Sequence, residues 1–292
     1  MFKLNENTKI GKVVLNVENL ENMKNFYNLS IGLDIKSESA KEVSFGPHGE
    51  DKVLLTLQEV PASGERGRFA GLYHLALLLP SRKDLGEILY HLLTAKYPLT
   101  GASDHGYSEA LYLDDPEGNG VEIYCDKPVS EWDIRETGEI AGVTEPMDAE
   151  GVIAEAKEAF KGMPAGTYMG HVHLFVSDLQ KTEDFYQDLL GFDLKYNFGS
   201  QAKFFAAGLY HHQIGSNVWA GTNIPAAPEG TRGMDYYTIE LDSVEDFAKV
   251  KEALDEKAYA YTLDEAANTI ALDDPNGIHI VIEVAQKVKK GV

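Results

Sequence analysis

The chain repeats itself, and that limits its fold more than any other feature. Residues 10–35 align without a gap on residues 169–194, at an offset of 159. The two stretches share Gly11/Gly170, Val13/Val172, Leu15/Leu174, Val17/Val176, Leu20/Leu179, Phe26/Phe185, Tyr27/Tyr186, Gly32/Gly191 and Asp34/Asp193. The tetrapeptide Leu113-Asp114-Asp115-Pro116 returns at the same offset as Leu272-Asp273-Asp274-Pro275. Gly71-Leu72-Tyr73-His74 faces Gly233-Met234-Asp235-Tyr236, with three extra residues in the loop before it. A fixed period of this kind means that one supersecondary unit was copied. Four modules follow, near 9–60, 69–127, 168–222 and 231–286, grouped as a first domain 9–127 and a second 168–286.

Within a module the periodicity changes once. Residues 10–17 read as a strand, and 18–30 carry Leu20, Met23, Phe26 and Tyr27 at helical spacing. Gly32 ends that helix. Short strands follow near 35–37, 42–45 and 52–58. The second module opens with a strand at 72–79 and continues with a helix at 82–95. Each unit is therefore strand, helix, three strands, which is an α+β fold built from βαβββ modules. Pro61–Gly71 reads as a loop. Residues 128–167 are an acidic connector, turn-rich and then helical over 149–160, and read as a solvated linker without chemistry.

Charge excludes two classes of partner. A formal net charge of −21 lacks the basic footprint that nucleic acid or an anionic membrane requires. The one cysteine, Cys125, rules out a disulfide within the chain and fits a reducing compartment. With no long apolar run and no apolar signal core at the N-terminus, the expectation is a cytoplasmic protein. A homo-oligomer is compatible with all of this.

Residues 111–124, LYLDDPEGNGVEIY, read as strand, turn, strand. Glu122 sits between Val121 and Ile123 in the second strand. Side chains alternate faces along a strand, so Glu122 either faces water or is a carboxylate held inside a cavity.

Modules opening with GHVHLFVSDL and closing with DPEGNGVEIY resemble the vicinal oxygen chelate superfamily, which includes glyoxalase I and the extradiol dioxygenases. The similarity covers all but the connector and is nearest to bacterial catechol 2,3-dioxygenase-like proteins. It implies that two modules pair and close their sheets around a metal, with ligands from the first and last strand of each. Module one offers Lys12 and Thr56 at those places. Module two offers His74 and Glu122. Module three offers His171 and the pair His211–His212. Module four offers Tyr236 and Val281. Only modules two and three carry metal-binding side chains, so those two are expected to share the metal site, with one and four paired beside it as scaffold.

His74 or His171 alone would read as a core histidine. Both at the same place in two repeats, with Glu122 at the matching last-strand place, make a two-His, one-carboxylate metal set. Such a set suits a non-haem Fe(II) oxygenase, with Mn(II), Zn(II) or Ni(II) as alternatives. Glyoxalase-type sites place a second carboxylate at the end of module three, where this chain has LYHHQIGSN. The resemblance to extradiol enzymes assigns acid–base catalysis to His212, with His211 the alternative. It gives Tyr112 a contact to substrate and His105, two residues nearer to Tyr112 than the family's usual spacing, a supporting role. His173 is read as an outer-face residue, His279 and Cys125 as structural, and His48 and His91 as surface. Asn217 and Trp219 are offered as pocket walls, with core packing preferred for Trp219. The expected activity is extradiol cleavage of a catechol-like diol by dioxygen. The alternative is a glyoxalase-type metal-dependent isomerase or thiol-processing enzyme.

Overall fold

Each module folds as one strand, one helix and three strands in a computed structural model that describes residues 2–62 and 67–285. Residues 63–66 of the loop Pro61–Gly71, and residue 286 at the end of module four, lie outside the described residues. Module one holds β1 (Lys9–Val17), α1 (Leu20–Asn25), β2 (Asp34–Glu38), β3 (Glu42–Gly46) and β4 (Leu55–Glu59). Module two holds β5 (Gly71–Leu78), α2 (Arg82–Thr94), β6 (Gly101–Asp104), β7 (Ser108–Asp114) and β8 (Gly120–Asp126). The connector contributes α3 (Ala149–Glu155). Module three holds β9 (Tyr168–Phe175), α4 (Leu179–Glu183), β10 (Asp193–Phe198), β11 (Ala202–Ala206) and β12 (Ile214–Asn217). Module four holds β13 (Gly233–Leu241), α5 (Val244–Glu256), β14 (Thr262–Asp264), β15 (Thr269–Asp273) and β16 (His279–Val284).

Local chemistry explains the helices. Ser81 caps α2 by accepting from the Asp84 N–H, and Leu85, Ile88, Leu89 and Leu92 form its buried face. In modules one and three the short helix widens into a π-turn over Phe26–Ser30 and Asp184–Leu189. That wide turn falls on the repeated Phe-Tyr pairs, all four of which are buried. Gly32 and Gly191 then leave the helix at φ +82 and +83, a conformation that favours glycine.

The modules join in crossed pairs. One sheet has eight strands in the order β14-β15-β16-β13-β1-β4-β3-β2 and combines modules four and one. The other runs β6-β7-β8-β5-β9-β12-β11-β10, extended at its β6 edge by the connector strand Glu145–Pro146, and combines modules two and three. The expected pairing is thus the observed one. In every module the first and last strands lie side by side and parallel, as in β5–β8 and β9–β12. The two first strands of a pair meet antiparallel, β5 with β9 and β1 with β13. First-strand and last-strand side chains from two modules therefore converge.

The repeated Leu-Asp-Asp-Pro turn ties neighbouring modules. Buried Asp115 accepts from the backbone N–H groups of Glu117 and Asn119 and from Asn119 Nδ2, and Tyr27 Oη of module one reaches it at 2.9 Å. Asp274 accepts in the same way from Asn276 and Ile278, and Asn276 Oδ1 accepts from the Ser177 N–H of module three.

The connector is not a solvated linker. Its helix ends at Glu155, short of the expected 160, as Ala156 turns extended. Val152 is fully buried, and a Cβ on Gly86 of α2 would stand 2.2 Å from the Val152 carbonyl oxygen. The glycine inside α2 lets the connector lie directly on it. No helix among the described residues is long and apolar enough to cross a membrane.

Candidate metal centre

The sheet of modules two and three curls around a cavity of about 650 Å³. At its floor three side chains meet. His74 Nε2 lies 2.9 Å and His171 Nε2 3.1 Å from the same Glu122 oxygen, Oε2, and the two Nε2 atoms are 3.2 Å apart. All three residues are buried, and they form the one cluster of metal-binding type found among the described residues.

The triangle has the dimensions of a coordination face. Ligands at about 2.1 Å from an ion and 90° apart are separated by about 3.0 Å, and by about 3.4 Å at tetrahedral angles. Two of the observed sides lie nearer the first value and the third lies midway, so the three atoms could hold one ion between them. The protonation states suit the same purpose. Burial works against a charge on Glu122, but His171 and His74 outweigh it and hold the carboxyl well below its usual range. Burial pushes His171 down to about 4 despite the pull of Glu122. An ionised carboxylate beside the neutral His171 imidazole is what a metal ion needs. The donor set therefore fits a divalent ion.

Strand register explains the convergence. β5 and β8 are neighbours, with His74 opposite Gly120 and Ala76 opposite Glu122. On β9, His171 lies opposite Ala76, and His173 lies opposite His74. His173 is thus a correction: two residues apart on one strand is one face, so it shares the cavity side with His171. It is buried, lines the cavity and packs 4.9 Å from the His74 ring. Burial, then the nearby His74 and His171, keep it well below its usual range and neutral.

His211 and His212 precede β12 rather than lie on it. Only His212 lines the cavity, its ring 4.2 Å from that of His171. Burial, with the other histidines beside it, holds His212 well below its usual range. His211 stands behind, with Nδ1 2.8 Å from His212 Nδ1 and Nε2 3.0 Å from Asp126 Oδ1.

Tyr112 and His105 form a second pair on the cavity wall. The Val143 carbonyl oxygen lies 2.8 Å from His105 Nδ1, so Nδ1 carries the hydrogen. In the neutral ring His105 Nε2 then accepts, and Tyr112 Oη donates to it at 2.7 Å. Val143 belongs to the connector, and Gly142 and Thr144 line the cavity with it. Sequence reasoning missed these residues, because the connector has no second copy to compare. Trp219 is another correction. It is 49% exposed at the cavity rim, edge-on to Tyr73 at 5.4 Å, instead of in the core. Tyr107, Tyr196, Phe198 and Phe204 complete the aromatic wall. Asn217 is buried but not among the lining residues, and its side chain accepts from the Trp219 N–H.

The remaining expectations divide. Cys125 is buried in the core, where desolvation raises its thiol to about 12. His48 is exposed beside Asp34. His91, expected at the surface, is half-buried with its ring 4.9 Å from that of Phe160. His279, expected to be structural, is exposed and paired with Asp273.

Known proteins resemble the chain in sequence and in fold. The model of the Glyoxalase/Bleomycin resistance protein/Dioxygenase superfamily matches twice, over residues 9–123 and 168–282. The chain is 39% identical over 290 residues to a catechol-2,3-dioxygenase of Bacillus subtilis (strain 168), covering 97% of this chain and 100% of that protein. In fold it is similar to a crystal structure described as a "putative dioxygenase" of Bacillus subtilis, with TM-score 0.65 at 16% identity over 98% of this chain and 87% of the other. It is also similar in fold to glyoxalase I from Zea mays, with TM-score 0.53 at 15% identity over 94% of this chain and 92% of the other.

Proposed function

The chain belongs to the glyoxalase/bleomycin resistance protein/dioxygenase superfamily, and on that premise we propose that it is an extradiol-type dioxygenase that opens the ring of a catechol-like diol. One observation carries the choice within the family. The third module sets an imidazole, His212, in the cavity beside His171, where a second carboxylate would suit a glyoxalase-type isomerase. The 39% identity to a protein named catechol-2,3-dioxygenase supports the same reading.

His74, His171 and Glu122 would hold the ion, Fe(II) first, with Mn(II), Zn(II) or Ni(II) as alternatives. The ion supplies a common binding place for the diol oxygens and dioxygen, and the redox coupling between them. The protein residues do the rest. His212 accepts a proton from a diol hydroxyl and returns one as the ring carbon–carbon bond beside the diol breaks and both oxygen atoms enter the product. Tyr112, held by His105, presents its oxygen to the bound diol. Tyr73, Phe198, Phe204 and Trp219 bound the ring and exclude water. A single buried thiol fits a cytoplasmic setting.

The test is an oxygen-electrode trace on protein reconstituted with Fe(II) under reducing conditions. A panel of catechols should drive oxygen uptake and yield a yellow ring-opened product. A methylglyoxal–thiol isomerase assay runs beside it. Isomerase activity with Zn(II) or Ni(II), and no uptake with any diol, would overturn the dioxygenase reading.

A further inference from the structure

We infer that Asp126 and His211 are positioning residues that set the tautomer of His212, leaving its Nε2 as a bare lone pair toward the cavity. The consequence for catalysis rests on the acid–base role proposed for His212; the hydrogen-bond logic does not.

The chain of three side chains permits one arrangement when both rings are neutral. The Asp126 carboxylate has only lone pairs to offer. His211 Nε2, 3.0 Å from Asp126 Oδ1, must therefore carry a hydrogen. A neutral imidazole has one N–H, so His211 Nδ1 is an acceptor. His212 Nδ1, 2.8 Å away, must then be the donor. Its single hydrogen is used there, and His212 Nε2 is bare. His212 lines the cavity and His211 does not, so the acid–base position follows from the cavity lining and the tautomer from Asp126.

The surroundings hold this arrangement in place. Tyr107 lies flat against His211 at 4.2 Å with an interplanar angle of 13°. Tyr210 packs beside the same ring at 4.1 Å, and Trp132 at 5.4 Å. Both histidines are buried, which limits the access of water to the Nδ1 atoms that join them. When His212 Nε2 takes a proton from a diol hydroxyl, the new imidazolium keeps its Nδ1–H on His211. The Asp126 carboxylate is then the counter-charge at the far end. The hydroxyl becomes an oxygen anion, and no proton leaves the chain.

The test reads the tautomer directly. Zn(II)-loaded protein, redox-inert and labelled with ¹⁵N at its nine histidines, is examined by two-bond hydrogen–nitrogen correlation at neutral pH. Loss of one signal set in His212→Asn assigns His212. The wild type should show His212 protonated at Nδ1 and bare at Nε2. His211→Phe removes the acceptor and should move His212 toward the Nε2–H form. His211→Gln should restore the wild-type pattern, since its amide can donate to Asp126 and accept from His212. Asp126→Ala, at a half-buried residue, should shift His212 in the same direction as His211→Phe and provides a second variant if His211→Phe does not fold. An Nε2–H tautomer in the wild type would overturn the proposal, as would an unchanged His212 in Asp126→Ala. With Fe(II) and a catechol, His211→Phe should lower kcat at least tenfold with little change in KM, and His211→Gln should recover most of it. If no diol is turned over, the dioxygenase reading fails while the tautomer result still stands or falls on the spectra.

Discussion

The two sheets are built from the same module, yet one gathers a metal set and the other does not. Register makes the comparison position by position. Tyr236 faces His279 as His74 faces Gly120, so Val281 holds the place of Glu122. Lys12 holds the place of His171, and its N–H donates to Thr238 Oγ1. Where the metal sheet has three ligand atoms about 3 Å apart, the scaffold sheet sets the Lys12 ammonium 5.8 Å over the Tyr236 ring. It also pairs Ser44 with Thr56 at 2.9 Å. The scaffold sheet keeps the Asp274 turn that matches Asp115. Backbone and side-chain chemistry have separated: one copy of the sheet gathers three side chains of metal-binding type and the other does not, on the same fold.

The largest break in this comparison should come at Glu122. Glu122→Ala should abolish stoichiometric metal binding, measured by elemental analysis of folded protein, while Val281→Ala leaves metal content at the wild-type level. Equal metal in wild type and Glu122→Ala would remove the distinction between the sheets. His212→Ala should keep the metal and slow oxygen uptake by roughly 10²–10⁴-fold, the usual share of general acid–base catalysis. Loss of metal instead would make His212 a ligand.

Acid should separate the sheets next. In metal-free protein the folded His171 stays unprotonated down to about 4, against 6.5 for an ordinary imidazole. The unfolded chain therefore binds a proton first, and this contribution to stability falls with pH across that window, by roughly 3 kcal/mol. Glu122, depressed as well, adds a loss below 4.5. Asp274 in the other sheet is raised by burial from 3.8 to about 6. Its contribution is full below 3.8 and is lost as pH rises through 6. Thermal melts against pH should show a shallower acid loss in His171→Ala and a steeper one in Asp274→Asn. Identical slopes in all three proteins would refute the assignment. The smallest effect belongs to Lys12→Ala, which removes a cation–π contact worth about 0.5–1 kcal/mol and should leave metal content unchanged.

The parts of the molecule visible in the sequence are those that the duplication exposes. Matching places in two modules carried His74, His171 and Glu122, and their uneven distribution carried the crossed pairing. What escaped lies where that comparison fails. Val143 and Gly142 belong to a connector with one copy, and their place on the cavity depends on contacts with residues far away in sequence. His211 and His212 precede a strand, so alternation of faces could not choose between them; of the two, only His212 lines the cavity. His173 was within reach of the strand period, since it stands two residues from His171. Trp219 is a large aromatic residue whose type suggests the core, but the open end of the sheet leaves it at the rim.

The crossed pairing also orders the molecule in time. Every strand of the metal sheet lies between Gly71 and Asn217. The scaffold sheet brackets that stretch, and β1 waits for β13, which begins at Gly233. On a growing chain the ligand triangle can close while β1, paired with β4, still lacks β13. The outer joint, made between segments more than two hundred residues apart, carries the greater loop-closure cost. The molecule is nested like a pair of parentheses, and the inner pair encloses the chemistry.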